Sequence, residues 1–192
     1  MEQARVIVQA ARRLISTKGS SFTTQELVKE AGVALQTFYR YFASKDQLLL
    51  AVLEDMISEF CAALREQAAQ VSDPIERLRF CVTVAARPRA GESDDVVGPR
   101  FITSEHWRLQ QLYPEEIAFA IRPFSDLLAE EIEEAVKSGS LHPRDPQRDA
   151  WHIAQLVMAT FHHYAFTETD ESEEDVAEGL WSFCLSGLGG VR

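Results

Sequence analysis

Apolar residues recur at intervals of three and four along almost the whole chain of 192 residues, and this helical period constrains the fold more than any other feature. Residues 3–17 place Val6, Ile7 and Ala10 on one face and Arg12 off it. No segment shows the convincing alternation of apolar and polar residues that indicates a half-buried strand. The apolar fraction of 46% and the charged fraction of 26% are ordinary for a globular domain. We therefore predict an all-α protein.

Short helices separated by glycines lie close together near the N-terminus. Gly19 is expected to end the first helix, and Thr23 with Glu26 forms the capping box of a second, short helix. Gly32 ends that helix, and a third short helix begins near Leu35 and runs to about residue 42. A short helix, a glycine turn and another short helix are the parts of a helix-turn-helix unit.

Longer helices are predicted for the remainder of the chain. Ser44 caps the first of them, and Asp73 with Pro74 begins the next. The composition of residues 88–99 indicates a loop. Further helices are expected near residues 100–112, 115–137, 146–166 and 173–187. Pro123 should kink or split the second of these four, because its ring clashes with the preceding turn.

The formal net charge of −11 is unevenly distributed. Residues 1–50 carry seven basic and four acidic side chains, a charge of +3, whereas residues 51–192 carry twelve basic and 26 acidic ones, a charge of −14. Six of those acids lie in residues 168–175, which we interpret as a solvated loop that caps the last helix. The average charge argues against a nucleic-acid partner, but the N-terminal segment alone has the sign that attracts phosphates.

The cysteine content favours a reducing compartment. Cys61, Cys81 and Cys184 cannot all pair, and each lies among apolar residues. The first residues lead into an amphipathic helix instead of an apolar signal segment. The longest uncharged run, residues 151–167, contains a glutamine and three histidines, which makes it a poor membrane span. We expect a cytoplasmic protein without a membrane partner.

Patterns typical of an enzyme are missing from the sequence. A di-metal helical bundle needs two Glu-x-x-His pairs, and the nearest match is the single pair Asp149 and His152. His152 and His163 share a helix face but lie about 16 Å apart along its axis, too far to share a metal. No glycine-rich phosphate loop, Cys-x-x-Cys pair or nucleophile elbow occurs. We expect no enzymatic activity, no cofactor and no metal.

The second helix of the helix-turn-helix unit has the composition of a DNA-reading helix. Phe38 and Phe42, four positions apart, can form its buried edge, after Val33 has fixed the angle of the turn. Polar and aromatic side chains remain for a major groove or its phosphates. They are Gln36, Thr37, Tyr39, Arg40 and Tyr41.

The stretch from Phe22 to Leu49, FTTQELVKEAGVALQTFYRYFASKDQLL, resembles the N-terminal domain of the TetR family of transcriptional regulators. The run TFYRYF followed after one residue by SKD is the specific part, and the likeness extends over residues 3–55. Gln36 departs from the family, which often has a small residue or glycine before the threonine. The other 140 or so residues resemble the family only in length and helical pattern.

The resemblance implies two domains and a role for individual positions. Residues 1–48 would form the helix-turn-helix DNA-binding domain, and residues 49–192 an antiparallel helical domain for effector binding and dimerisation. Phosphates would be bound by Thr24, Tyr39, Tyr41 and Lys45. Base edges would be read by Leu35, Gln36, Thr37 and Arg40. Glutamine can bond adenine, arginine can bond guanine, and the threonine methyl group can contact thymine.

The resemblance also implies a homodimer formed by the last two helices. The helix near 146–166 is apolar most of the way round, as a helix that contacts both a core and a partner would be. Two heads would then read the half-sites of a palindromic operator. A small, largely hydrophobic effector would bind in the C-terminal helices, although core packing explains the same residues equally well. Candidate lining residues are Phe60, Cys81, Val84, Phe101, His106, Trp107, Phe119, Phe124, Met158, Phe161 and His162.

Together these features predict a homodimeric repressor that a small hydrophobic effector releases from double-stranded operator DNA. Two alternatives remain open at this point. One is an effector-independent regulator or an activator on the same fold. The other is a helical module that binds other proteins and not DNA, which salt-dependent binding to duplex DNA would distinguish.

Overall fold

The computed structural model describes residues 2–87, 97–167 and 170–190. Within these ranges the regular structure is helical throughout, so the predicted all-α fold is confirmed. A 3-10 helix, Gly19–Ser21, follows the first α-helix. The α-helices are α1 (Glu2–Lys18), α2 (Thr24–Ala31), α3 (Leu35–Tyr41), α4 (Lys45–Ala68), α5 (Pro74–Ala86), α6 (Val97–Leu112), α7 (Pro114–Lys137), α8 (Pro146–Tyr164) and α9 (Glu173–Gly187).

The ends of the first helices follow the predicted caps. The backbone N–H of Glu26 donates to Thr23 Oγ1 at 3.2 Å, and the Thr23 N–H donates back to the Glu26 carboxylate at 2.7 Å, which completes the capping box. Gly19 and Gly32 have φ values of +58° and +65°, a left-handed conformation that glycine adopts at no steric cost. The local sequence therefore sets where α1 and α2 end.

Two sequence-based expectations that involve prolines are wrong in part. The loop predicted for residues 88–99 is too long, since α6 begins at Val97 and holds Pro99 in its first turn, where the missing N–H is not needed. Residues 88–96 lie outside the described ranges. Pro123 does not split its helix, because α7 runs without a break from Pro114 to Lys137. A kink at Pro123, the other expected outcome, stays a prediction.

The acidic run near residue 170 leads into a capped helix. Ser172 Oγ accepts a hydrogen bond from the Asp175 N–H at 3.1 Å, and Glu173, Glu174 and Asp175 form the first turn of α9. The positive end of the helix dipole favours negative charge in that turn. The predicted capping role is therefore confirmed, although half of the acids belong to the helix itself; residues 168 and 169 are not among those described.

Contacts divide the chain into two compact units. The first unit contains Met1–Met56 and Asp95–Ala120, and the second contains Ile57–Asp94 and Ile121–Arg192. The division falls inside α4 and inside α7, and it groups α6 with the helix-turn-helix segment. The domain boundary predicted between residues 48 and 49 concerns function, and it stays a prediction.

The first unit packs α1 against α2, and α6 against α1 and the 3-10 helix. Its core includes Ile7, Leu27 and Phe101, which come from α1, α2 and α6. Phe38 and Phe42 form the buried edge of α3, as the sequence predicts, with their ring centres 6.0 Å apart. This core holds the other face of α3 outward.

The second unit packs α5 against α8 and α9. Its core contains Cys61, Cys81 and Cys184 as free thiols. Burial raises the pKa of Cys61 and of Cys184 to about 11 and that of Cys81 to about 12. All three are therefore protonated at neutral pH and pack as small apolar side chains.

Neither a membrane span nor a metal cluster is found in the described part of the chain. Among its helices, none combines the length and the low polarity needed to cross a bilayer. Within the same ranges, no three His, Cys, Asp or Glu side chains are placed to hold a metal ion.

Candidate nucleic-acid interface

The outward face of α3 is polar and aromatic. Tyr39 is 55% exposed and Leu35 43% exposed, and Gln36 and Arg40 are exposed beside them. Gln36, Thr37, Tyr39 and Arg40 line an open surface pocket of about 460 Å³. An amide, two hydroxyl groups and a guanidinium therefore converge on one face, and these are the donors and acceptors that base edges and phosphates require.

Arg40 is held by contacts on both sides. Its Nη2 donates to Gln3 Oε1 of α1 at 2.8 Å. Its guanidinium carbon lies 5.1 Å from the centre of the Tyr41 ring, a cation–π contact. Arginine has five N–H donors, so these contacts still leave donors for a base. The α1 side chain Gln3 thus belongs to the candidate interface, although no local pattern relates positions so far apart in the sequence.

The start of α2 adds a half-buried threonine and an ion pair. Thr24 is the first residue of α2. Lys18 Nζ lies 2.5 Å from Glu26 Oε1. The hydrogen bond from Lys18, together with those from Thr23, lowers the pKa of Glu26 to about 2. The capping box therefore keeps its carboxylate ionised in moderate acid.

Lys45, the first residue of α4, connects that helix to the turn after α1. Its Nζ donates to the backbone carbonyls of Ser20 and Phe22 at 2.5 Å each, and it lies 4.4 Å from the centre of the Phe22 ring. Partial burial lowers the pKa of this lysine. The two carbonyls use two of its three donors, so the predicted phosphate contact would fall to the third.

Helix α6 brings a further cation to the start of α4. Arg108 Nη2 lies 2.7 Å from Asp46 Oδ1, in the first turn of α4. The same guanidinium lies 2.8 Å from Glu105 Oε2, whose side chain is only 6% exposed. The two carboxylates raise the pKa of Arg108. The sequence pattern does not reveal Arg108, because its partner Asp46 is 62 positions away.

The candidate effector residues fall in both units. Four lie in the first unit, namely Phe101, His106, Trp107 and Phe119, and seven lie in the second, namely Phe60, Cys81, Val84, Phe124, Met158, Phe161 and His162. Burial varies within this set. Cys81, Phe101, Phe124 and His162 are buried, and Phe60, Trp107 and Phe119 are exposed. Their lining of an effector cavity stays a prediction.

Helices α8 and α9 expose large apolar side chains. Trp151 and Leu156 are exposed on α8, and Phe183 on α9 is 67% exposed. Gly179 and Gly187 stand four positions before and after Phe183 and are exposed as well. An exposed aromatic ring between two glycines offers both a protruding side chain and room for the close approach of another helix.

Comparison with known proteins finds relatives of the helix-turn-helix segment. The model of the family described as bacterial regulatory proteins, tetR family, matches residues 7–52. YvaF, an uncharacterized HTH-type transcriptional regulator of Bacillus subtilis (strain 168), is 49% identical over 47 residues, which are 24% of this chain and only 25% of YvaF. HbdR, an HTH-type transcriptional regulator of Aromatoleum sp. (strain CIB), is 25% identical over 186 residues, which are 93% of this chain and 78% of HbdR.

Solved structures share the fold over nearly the whole chain. Thermus thermophilus FadR, a TetR-family transcriptional repressor in complex with lauroyl-CoA, has a TM-score of 0.74 at 22% identity and covers 98% of this chain and 96% of its own. AibR, in complex with isovaleryl coenzyme A and operator DNA, has a TM-score of 0.60 at 24% identity, and the match covers 98% of this chain and 100% of AibR. At these identities the likeness establishes the fold.

Proposed function

The chain belongs to the TetR family of transcriptional regulators, and we propose that it acts in the cytoplasm as a homodimeric repressor that a small hydrophobic effector releases from a palindromic operator. Its relatives are named as transcriptional regulators, and the chain is a regulator and not an enzyme. The observation that carries DNA binding is the outward face of α3, whose opposite edge Phe38 anchors in the core.

The proposed contacts divide by chemistry. The base readers are Leu35, Gln36, Thr37 and Arg40, and the phosphate ligands are Thr24, Tyr39, Tyr41 and Lys45. Support comes from their positions, since the base readers lie in the first two turns of α3 and the phosphate ligands include the first residues of α2 and α4. Unbonded N–H groups at a helix start attract a phosphate.

The charge distribution favours one docking orientation. Residues 1–50 have a charge of +3 and contain all of the proposed contacts, whereas the remaining residues have a charge of −14. Phosphates repel the acidic part, so the chain would approach DNA with α3 foremost.

A second copy of the chain is the proposed occupant of the apolar face on α8 and α9. Support comes from the exposure of Trp151, Leu156 and Phe183 on these two helices. A single α3 makes few base contacts, and a two-fold dimer doubles them and reads two half-sites with a fixed spacing.

Effector release requires that the two units communicate, and α4 contributes residues to both. An effector that binds better to the form without DNA lowers operator affinity, by a coupling that is typically about 1–3 kcal/mol. FadR and AibR were solved with acyl-CoA thioesters, which combine a hydrophobic chain with a large polar group. Acyl-CoA thioesters are therefore the first effector class to test.

Fluorescence anisotropy with labelled duplex DNA tests both parts of the proposal. Binding should weaken steeply as salt increases, and lauroyl-CoA or isovaleryl-CoA should release the DNA while free coenzyme A should not. Absence of salt-dependent binding to any duplex would favour the protein-interaction alternative. Binding that no acyl-CoA changes would favour an effector-independent regulator.

A further inference from the structure

The start of α4 lies in a closed ring of contacts inside the first unit. Lys45 of α4 bonds to the carbonyl of Ser20 in the 3-10 helix, and α6 packs against that same 3-10 helix. Arg108 of α6 then bonds to Asp46, the residue after Lys45. Each link therefore restrains the same turn of α4 from a different side.

The link through Arg108 is anchored in the core. The Glu105 side chain is 6% exposed and lies 2.8 Å from the Arg108 guanidinium. A carboxylate buried to this extent needs its counter-ion, because an unpaired charge in the interior is strongly unfavourable. Arg108 is thus fixed on its own helix by Glu105 and extends from there to Asp46.

Because Asp46 is negatively charged, its bridge to Arg108 affects how a DNA phosphate can approach the start of α4. A carboxylate in the first turn of a helix is favoured by the helix dipole, but it would repel a phosphate that approaches the neighbouring Lys45. Arg108 offsets that charge at 2.7 Å. The same bridge also fixes the direction in which the start of α4 points.

We propose that Arg108 is a positioning residue for DNA binding, which through its bridge from Glu105 to Asp46 holds the start of α4 and Lys45 in the orientation that meets a phosphate. The proposal rests on the DNA-binding function proposed above. It makes α6 a structural part of the candidate DNA-binding surface, although none of the proposed base contacts lies on α6.

Two variants separate positioning from simple charge compensation. Arg108→Gln should weaken operator binding about 5- to 10-fold, as loss of a coupling in the usual range would. Asp46→Asn removes a negative charge near the phosphate, so charge compensation alone predicts tighter binding. Positioning predicts instead that Asp46→Asn also weakens binding, and that the double variant is no weaker than Arg108→Gln alone.

Thermal unfolding measured on each variant monitors the fold separately from DNA affinity. Asp46→Asn leaves the Glu105–Arg108 contact in place, so it decides the question even where Arg108→Gln fails to fold. Arg13→Gln is the matched control, because it breaks the exposed Arg13–Glu30 pair of 2.7 Å in the same unit and changes the charge equally. Its operator affinity should stay within about twofold of the original chain.

Several results would overturn the proposal. Tighter binding by Asp46→Asn, with additive effects in the double variant, would show that Arg108 only neutralises the charge of Asp46 and does not position the start of α4. Unchanged affinity in Arg108→Gln and Asp46→Asn, while the original chain binds DNA, would reject the role of Arg108 alone. Failure of the original chain to bind any duplex would reject the proposed function together with it.

Discussion

Each unit exposes one face that differs in chemistry from the face exposed by the other. The first unit exposes Tyr39 and Arg40 on α3, in the segment with a positive charge. The second unit exposes Trp151, Leu156 and Phe183 on α8 and α9, in the acidic remainder. Both units have apolar cores, and the first unit also exposes Trp107 and Phe119. The informative difference is therefore between two faces: the face of α3 suits a polyanion, and the face of α8 and α9 suits an apolar partner.

The largest expected effect comes from Phe183→Glu, because a charged side chain cannot be buried in an apolar interface without a partner. We expect this variant to be monomeric in sedimentation analysis and to lose about 100-fold or more in operator affinity, since the second half-site is no longer bound together with the first.

Phe119→Glu is the matched control for that measurement. Phe119 is also a highly exposed phenylalanine, but it lies in the first unit and outside α8 and α9. This variant should keep the oligomeric state of the original chain. If Phe183→Glu remains dimeric and Phe119→Glu becomes monomeric, the dimer surface lies on the first unit, which contradicts the proposed role of α8 and α9.

Arg40→Ala should change which sequences are preferred. A bidentate arginine–guanine contact discriminates by about 1–3 kcal/mol, so preference at one position of each half-site should fall by about 5- to 150-fold while other positions keep theirs. Affinities for a library of operators with single base changes measure this. Uniform weakening across the library would show that Arg40 contacts phosphate instead.

Lys45→Ala should weaken binding to all DNA sequences about equally, by about tenfold. It should also lower the slope of log affinity against log salt concentration by about one unit. The side chain also bonds to two backbone carbonyls, so we expect a lower unfolding temperature as well. Lys45→Arg keeps the charge and the donors and serves as the control. An unchanged salt slope in Lys45→Ala would leave the lysine with a structural role only.

The smallest expected effect concerns the capping box of α2. The pKa of Glu26 is about 2 in the folded chain, against an ordinary value of 4.5. Because this pKa is lowered, the ionised carboxylate adds stability that is complete above about pH 4.5 and is lost as the pH falls toward 2. The stability of the Glu26→Gln variant, measured by thermal unfolding, should therefore depend less on pH in that window than the stability of the original chain.

Glu66→Gln provides the comparison for this experiment, because Glu66 is exposed on α4. This control should retain the acid dependence of the original chain. Equal acid dependence in Glu26→Gln and in the original chain would contradict the assigned role of the capping box.

Local signals explain why the helix-turn-helix segment could be predicted from the sequence. The capping box of Thr23 and Glu26 and the left-handed glycines Gly19 and Gly32 each act within four residues. The buried edge of Phe38 and Phe42 follows from helical spacing alone. Such features depend on neighbours along the chain, and the sequence contains them in full.

Contacts between distant positions were not predictable in the same way. The bonds from Arg40 to Gln3 and from Arg108 to Asp46 join residues 37 and 62 positions apart, and helical periodicity gives a face but not a partner. The expected split at Pro123 was wrong for a related reason. Tertiary packing of a long amphipathic helix can outweigh the cost of Pro123, which a local rule overestimates.

The effector site is the part that the sequence predicts least. Apolar and aromatic residues at helical spacing line a cavity and fill a core equally well, so Cys81 or Phe124 has the same pattern under both interpretations. The identity of the effector therefore requires the binding experiments proposed above.

Selection of bound duplexes from a random pool is the most direct test of whether a dimer reads DNA through α3, because it presupposes neither operator nor effector. We expect enrichment of two similar half-sites in inverted orientation, with centres about one helical turn or more apart. The Arg40→Ala variant should recover the same spacing with one position of each half-site relaxed. A pool without enrichment, or a single unpaired site, would contradict a dimer that reads DNA through α3.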